Sequence, residues 1–527
     1  MQSNAKPSRG MVVAPHHLAA KAGRDILREG GNAIEAMVAA ASTIATVYPH
    51  MNSIGGDGFW LISEPGKTPV AIEACGAAAQ LADRDYYAGH VGIPARGPLA
   101  ALTTAGTVGG WEMALAHSRR WGGTLPLSRL FEAAIAHARQ GVPVTRGQAA
   151  LTAAKLGELA DVPGFAGHLL SEGAAPQQGE TFRQPTLAST FERLAHAGLG
   201  DFYRGELGTA MGEELERFGS PLRRADLAGY APQAVTPLSL SLKQGQVWNL
   251  PPPTQGVSSL MILGLFERLK IAEAEGFDYV HALVESTKQA FLVRDRHVTD
   301  PRWMDVDPLD LLADATLDRL AARIDPARAL AWPHVGEPGD TIWMGCIDGE
   351  GRAVSFIQST FWEFGSGVVL PSTGVLWQNR GIGFSLDPQA RQALVPGRKP
   401  FHTLNPALAR LNDGRTMVYG TMGGEGQPQT QSAVFTRHVV YGQPLQQAVD
   451  APRWLLGRTW GEGTTSLKLE SRFDPTLIAA LRQAGHQVDV IDAYSDTMGH
   501  AGGITRHADG RLEGGADPRS DGSVEGD

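Results

Sequence analysis

Cysteine is nearly missing from this chain of 527 residues, which carries only Cys75 and Cys346. Two thiols so far apart have the spacing of neither a metal knuckle nor a redox pair, and so few suit a reducing compartment. Both are expected to be packed core thiols. Long apolar runs are missing too. The most apolar stretch, AIEAMVAAASTIATVY from Ala33 to Tyr48, is too short to cross a bilayer and carries Glu35, so it reads as a buried helix. The opening MQSNAKPSRGMVVAPHH has basic residues but no apolar core of secretory length before His16, so a cytoplasmic protein without membrane attachment is expected. No basic block stands out, and 46 Lys and Arg against 55 Asp and Glu leave a net charge of -9. A polyanion such as nucleic acid would be repelled by that balance.

A hydrophobic content of 43% with 19% charge is that of an ordinary soluble globular chain. No repeat of fixed period is visible, and Gly and Pro are scattered rather than gathered into one linker. LAAKAGRDILREGG spaces Leu18, Ala22, Ile26 and Leu27 as a helix ending at Gly30-Gly31, after which Asn32 can cap the alanine-rich helix. Past the turn Gly55-Gly56-Asp57-Gly58, FWLISE and TPVAIEA predict a hairpin around Pro65-Gly66. From about Gly109 to Leu330 the pattern is mainly helical, as in LSRLFEAAIAHARQ and YVHALVESTKQAFLVRD. At Thr341 it changes to period two: TIWMGCID and RAVSFIQS flank the turn Asp348-Gly349-Glu350-Gly351. Strands at GVLWQ, PALARLN and RTMVYG follow, then helices around QSAVFTRHVVYG and PTLIAALRQAG. Strands early and late with helices between and after them predict one α+β domain built by both halves of the chain.

The stretch GEPGDTIWMGCID, from Gly336 to Asp348, runs a glycine-containing loop straight into a strand. A strand can begin with threonine simply because β-branched residues suit strands. A threonine can also be a nucleophile, provided a base stands beside its hydroxyl, and the free α-amine of a chain-terminal threonine is such a base. An α-amine titrates at about 7.7–8.0, close to neutrality. Here that amine would exist only if the Asp340–Thr341 bond were cut. The Thr341 hydroxyl could make the cut itself, by attacking the Asp340 carbonyl and leaving an ester for water to open. A loop with glycine just upstream permits the geometry.

Several segments, taken in order, resemble the gamma-glutamyltransferase family of N-terminal nucleophile hydrolases. They are KAGRDILREGGNAIEAMVAA, SIGGDGFWLI, TTAGTVGGW, PPPTQG, the start at Thr341, GTMGGEGQPQT, APRW and ADPRSDG. The resemblance implies a four-layer αββα sandwich, made as a proenzyme and split by itself into a large subunit, 1–340, and a small subunit, 341–527. It implies Thr341 as nucleophile, Gly423 and Gly424 as backbone donors of an oxyanion hole, and Ser359 as a hydroxyl that assists processing and orients the threonine. It implies no metal and no organic cofactor. His16-His17, a tempting metal motif, are adjacent residues whose rings need not converge.

Arg84, in LADRDYY, matches the family arginine that holds a substrate α-carboxylate. The acidic residue that holds the α-ammonium should fall near QNRGIGF, where this chain has Gly383. Without a carboxylate there an ammonium would be poorly paired. Arg380 stands where the transferases carry a neutral amide, and His402-Thr403 replace their hydroxyl pair. Two arginines, a histidine and a hydroxyl favour a small anion that lacks an amine. The segment SLDPQARQALVPGRK is short and has no tyrosine to act as a lid, which favours hydrolysis over transfer. DTIWM, FWEFGSGVVLP and FHTLNPAL most resemble the subgroup that hydrolyses oxamate to oxalate and ammonia in purine degradation. The alternatives are a gamma-glutamyl hydrolase or transferase, a glutaryl-type acylase, or an uncut anion-binding protein.

Overall fold

The computed structural model describes residues 9–332, 340–457 and 465–526. Residues 336–339 of the loop before Thr341, and the side chain of Asp340, lie outside these.

Two antiparallel sheets form the centre. In chain order their strands are Gly10–Ala14 (β1), Asp57–Ser63 (β2), Val70–Ala74 (β3), Gln233–Val235 (β4), Leu238–Leu242 (β5), Gly245–Asn249 (β6) and Asp340–Asp348 (β7). They continue with Ala353–Phe361 (β8), Ala407–Leu411 (β9), Thr416–Thr421 (β10), Ala501–Arg506 (β11), Leu512–Ala516 (β12) and Ser523–Gly526 (β13). One sheet has seven strands in the order β13-β1-β7-β8-β2-β3-β4, the other six in the order β12-β11-β10-β9-β6-β5. The strand that carries Thr341 is therefore internal, with β1 and β8 as its neighbours.

Period-two alternation sorts each strand's side chains into two cores. Along β7, Ile342, Met344 and Cys346 face a helical layer that includes His17–Arg28 (α1), Ala33–Val47 (α2) and Thr107–Ser118 (α3). Trp343 and Ile347 point the other way, into a core shared with Trp248, Leu408, Val418 and Ile504 of the second sheet. The outer face of that sheet, with Val247, Ala409, Met417 and Tyr419, packs on Gly256–Leu269 (α4), Phe277–His297 (α5) and Gly426–Phe435 (α6). Three cores between four layers make the αββα sandwich.

The Asn32 cap is present as a full capping box with Glu35, and Gly30 takes φ +91° where the first helix stops. Both hairpins form. The helical reading of the middle needs correction toward its end: Gln233–Val235 is β4, and LSLSL and GQVWN are β5 and β6, paired across Lys243-Gln244 at the edge of the second sheet. The helix at QSAVFTRHVVYG starts earlier, at Gly426, and loosens into a π turn over Thr436–Val440.

Candidate active site

Thr341, the second residue of β7, is 1% exposed, and its Oγ1 lies 3.2 Å from Ser359 Oγ on β8. The β7–β8 register runs regularly up to Ile342–Gln358, then shifts so that Asp340 faces Phe361. Such a bulge re-aims side chains, and Phe361 takes φ +83°, uncommon for a residue with a Cβ. Ser359 Oγ meanwhile accepts the Phe361 N–H at 2.8 Å, which fixes the hydroxyl beneath Thr341. On the other side Ser359 is paired with Asp57 of β2, and Gly56 presses on its carbonyl so closely that a Cβ would sit 2.1 Å from that oxygen.

Stacking of the two sheets brings the glycine pair to the same end. A Cβ at Gly420 would lie 2.2 Å from Trp343 Cδ1, and one at Gly345 would lie 3.2 Å from Val418 Cγ2. Strands β7 and β10 thus cross with 343 over 420 and 345 beside 418, which sets Thr341 level with Met422, the residue before Gly423. Gly423 and Gly424 take φ +119° and +51° in the turn that opens α6. The turn is held from behind by two later segments of the chain. Arg453 of APRW, 1% exposed, donates to Met498 O at 3.1 Å and Gly499 O at 2.9 Å and pairs with Asp517 of ADPRSDG. The Met422 N–H bonds to His500 O beside them, at 3.2 Å.

Of the expected pocket residues, Arg380, His402 and Thr403 are buried at 2%, 1% and 1% exposure. Arg380 lies in the turn Arg380–Gly383 with its Cζ 3.3 Å above the Phe361 ring, so the residue on the bulge also seats the guanidinium. His402 is level with Thr254 through a parallel bridge. Its Nε2 is 3.2 Å from Asp57 Oδ2, near enough for an ion pair though not aligned as a hydrogen bond. Burial pulls the imidazole below its usual range, Asp57 opposes this, and Arg380 adds to the lowering. A neutral ring is the form at pH 7. A neutral His402 offers this pocket hydrogen bonds rather than charge. Arg84 differs in kind: it is exposed, in the turn where Tyr86 N–H bonds Asp83 Oδ1 at 2.8 Å, and no described contact joins it to Arg380 or His402.

Asp57 is the residue the sequence reading passed over, as one member of a glycine-rich turn. Its Oδ1 accepts from Gly76 N–H (3.3 Å), Gly106 N–H (3.1 Å) and Gln378 Nε2 (3.1 Å). The motif TTAGTVGGW thereby serves as a cradle for that carboxylate. The only signal in the sequence was an acid between glycines just ahead of an apolar strand.

No described donor set invites a metal into this site. His16 Nδ1 accepts the Leu18 N–H as the cap of α1 while its ring stacks on His17 at 4.7 Å, a structural role. His281, Glu285 and His486 do cluster elsewhere, but His281 spends both nitrogens on His486 and Asp325 O, and the Lys288 ammonium sits 2.7 Å from Glu285 Oε1. A divalent cation there would meet that ammonium.

A family model described as Gamma-glutamyltranspeptidase matches residues 19–527. The chain belongs to the gamma-glutamyltranspeptidase family. It is 56% identical over 527 residues, the whole of both chains, to the "Oxamate amidohydrolase proenzyme" of Klebsiella pneumoniae subsp. pneumoniae. It is 39% identical to the "Glutathione hydrolase-like YwrD proenzyme" of Bacillus subtilis, over 98% of each. Among solved structures, the cephalosporin acylase from Bacillus halodurans superposes with a TM-score of 0.90 at 34% identity, covering 99% of this chain and 96% of that one. The chain is an amidohydrolase of this family. Among the described residues no helix is long and apolar enough to cross a membrane.

Proposed function

We propose that the chain cuts itself between Asp340 and Thr341 and that the product, a heterodimer of 1–340 and 341–527, hydrolyses oxamate to oxalate and ammonia. The observation that carries the reading is the buried Thr341–Ser359 pair with Arg380 and His402 nearby, in a chain matched end to end by an oxamate amidohydrolase proenzyme. In the cut, Thr341 Oγ attacks the Asp340 carbonyl, the peptide nitrogen leaves as the new α-amine, and water opens the ester to free the Asp340 carboxyl.

In turnover, Thr341 Oγ attacks the oxamate amide carbon while the α-amine takes the hydroxyl proton. Gly423 and Gly424 N–H groups hold the oxygen that becomes negative; such donors are typically worth about 2.7–4 kcal/mol each. The amine returns the proton to the departing nitrogen, ammonia leaves, and water, activated by the same amine, releases oxalate from the oxalyl ester. Ser359 holds the nucleophile's hydroxyl. Arg380 pairs with the substrate carboxylate, Arg84 is a second candidate for that carboxylate, and Thr403 donates to a substrate oxygen. Neutral His402 accepts an N–H of the primary amide at Nδ1, so it reads the amide end rather than the carboxylate. Gly383 leaves no partner for an α-ammonium. We place the reaction in the cytoplasm, as a step of purine degradation; two buried, unpaired thiols suit that compartment.

The likeness to a cephalosporin acylase favours a second reading, a glutaryl-type or gamma-glutamyl acylase on the same fold. Ammonia release from oxamate, set against aniline release from a gamma-glutamyl anilide, separates them. The proposal expects oxamate to be turned over at least about tenfold faster by kcat/KM; faster anilide turnover would reject oxamate as substrate. Thr341→Ala should leave the chain whole and inactive.

A further inference from the structure

Gln255, the glutamine of PPPTQG, belongs to the large-subunit part of the chain yet is fully buried against the small-subunit part. Its side-chain Nε2 donates to Thr403 O at 2.8 Å and to Gly424 O at 2.9 Å. Its backbone N–H bonds His402 O at 2.9 Å, and His402 N–H returns a bond to Pro253 O at 2.8 Å. One residue thus touches both segments that line the proposed site, the His402-Thr403 segment and the Gly423-Gly424 turn. Arg294, on α5 and 3% exposed, closes the arrangement: it donates to Gln255 Oε1 at 2.9 Å and to Glu425 Oε1 at 2.6 Å. Phe291 lies under its guanidinium, 3.9 Å from Cζ, and Asp295 accepts from its Nε at 2.7 Å.

Gln255, Gly424, Glu425 and Arg294 form a closed polar ring of two large-subunit and two small-subunit residues. Both N–H donors and the oxygen of the Gln255 amide are used. A buried ring of this kind is rigid because opening one leg leaves a charged or polar group unpaired in a low-dielectric interior. No substrate atom needs to touch Gln255 or Arg294, so simple binding contacts do not explain them.

We propose that Gln255 and Arg294 are positioning residues for the oxyanion turn: the ring fixes the Gly424 carbonyl, and so the direction of the adjacent N–H groups, after the covalent link between the subunits is lost. The proposal rests on the reading of Gly423 and Gly424 as oxyanion donors. Oxyanion stabilisation requires donors held near the place where charge develops, and misplacement by about 1 Å can lower the rate about 10²-fold. A loosened ring therefore shows in the chemical step more than in ground-state affinity.

The test uses the full-length protein after self-cleavage, with oxamate as substrate and kcat expressed per folded, cleaved molecule. Gln255→Leu and Glu425→Gln are each expected to lower kcat by about 10²-fold with KM changed less than about threefold. The Gln255→Leu/Glu425→Gln pair should be scarcely slower than either single variant, because a ring once opened is open. Arg294→Lys, which keeps the charge but loses the fork, should fall between wild type and Gln255→Leu. A purely structural role predicts lower melting temperatures with kcat per folded molecule unchanged, and that result overturns the proposal, as does full additivity in the double variant. If Gln255→Leu does not fold, Arg294→Lys and Glu425→Gln decide by the same kcat criterion. Wild-type protein run beside them separates the two claims: a wild type that neither cuts itself nor releases ammonia defeats the functional reading, whereas an active wild type with unaffected variants defeats only the ring.

Discussion

Thr341, Ser359 and Asp57 lie on three neighbouring strands, and a single register shift links them. The β-bulge at Ser359-Thr360 turns a hydroxyl toward Thr341 and gives Phe361 the backbone that carries Arg380 on its ring. Thr341 could be named from the sequence as a candidate nucleophile, because a loop, a threonine and a period-two strand occur in one short run that resembles the family's processing site. The state of His402 was not legible there, since its neutrality follows from burial and from Arg380, against the opposing pull of Asp57, and both residues are far away in sequence. This yields a prediction about pH. The acid limb of kcat/KM should follow the Thr341 α-amine, near 7.7–8.0, and not an imidazole. His402→Gln, which keeps an acceptor, is expected to leave the midpoint of that limb in place while raising KM several-fold; a limb that moves would make His402 the catalytic base. Arg380→Met should raise the oxamate KM by about 10²-fold or more, as expected for losing a charged hydrogen-bonded pair worth about 3 kcal/mol, with Arg84→Ala having a smaller effect; steady-state kinetics reads both.

At the scale of elements, local signals were read where they were strong. Asn32 caps α2 through Ile34 and Glu35 N–H groups and was named as the cap from sequence, while Glu35, whose carboxylate accepts the Asn32 N–H at 3.0 Å, was read only as a charge in an apolar run. Asn32 also donates to Ser118 Oγ at 2.7 Å, a tertiary bond that no local pattern announces. Asn32→Ala should therefore lower stability by about 1–2 kcal/mol, seen in urea unfolding, while activity per folded molecule is unchanged. The strands β5 and β6 were missed because they are short, lie between long helical patterns, and are held in the sheet by the pairing of β6 with β9, a segment far along the chain. The Gln255 ring was illegible for the same reason: its members are brought together by α4, α5 and the turn before α6, none of which refers to the others in sequence.

For the whole molecule, the interleaving of strands decides what self-cleavage can and cannot do. In the seven-stranded sheet β7, β8 and β13 come from 341–527 and β1 to β4 from 1–340, and the six-stranded sheet joins β5 and β6 to four later strands. Separation of the two pieces would break ladders in both sheets. Size-exclusion chromatography should find the two fragments in one peak in buffer and in two only with denaturant; dissociation in plain buffer would contradict the shared sandwich. Acid should weaken the assembly early. Burial lowers His16, His50 and His486 to about 3, so between the unfolded value of 6.5 and that range the unfolded chain takes up protons that the folded one refuses. Stability from these groups is complete above their unfolded value and falls as pH drops, by up to about 1.4 kcal/mol per pH unit for each. The melting temperature is expected to fall from about pH 7 to about pH 5, before most carboxylates titrate.

The central claim is that Thr341 becomes a chain end and then a nucleophile. Mass spectrometry of the intact purified protein, with terminal sequencing of the smaller piece, tests it most directly. The account predicts two chains, the smaller beginning Thr-Ile-Trp-Met, and none of either in Thr341→Ala. A single uncut chain of 56.0 kDa that still releases ammonia from oxamate would contradict it.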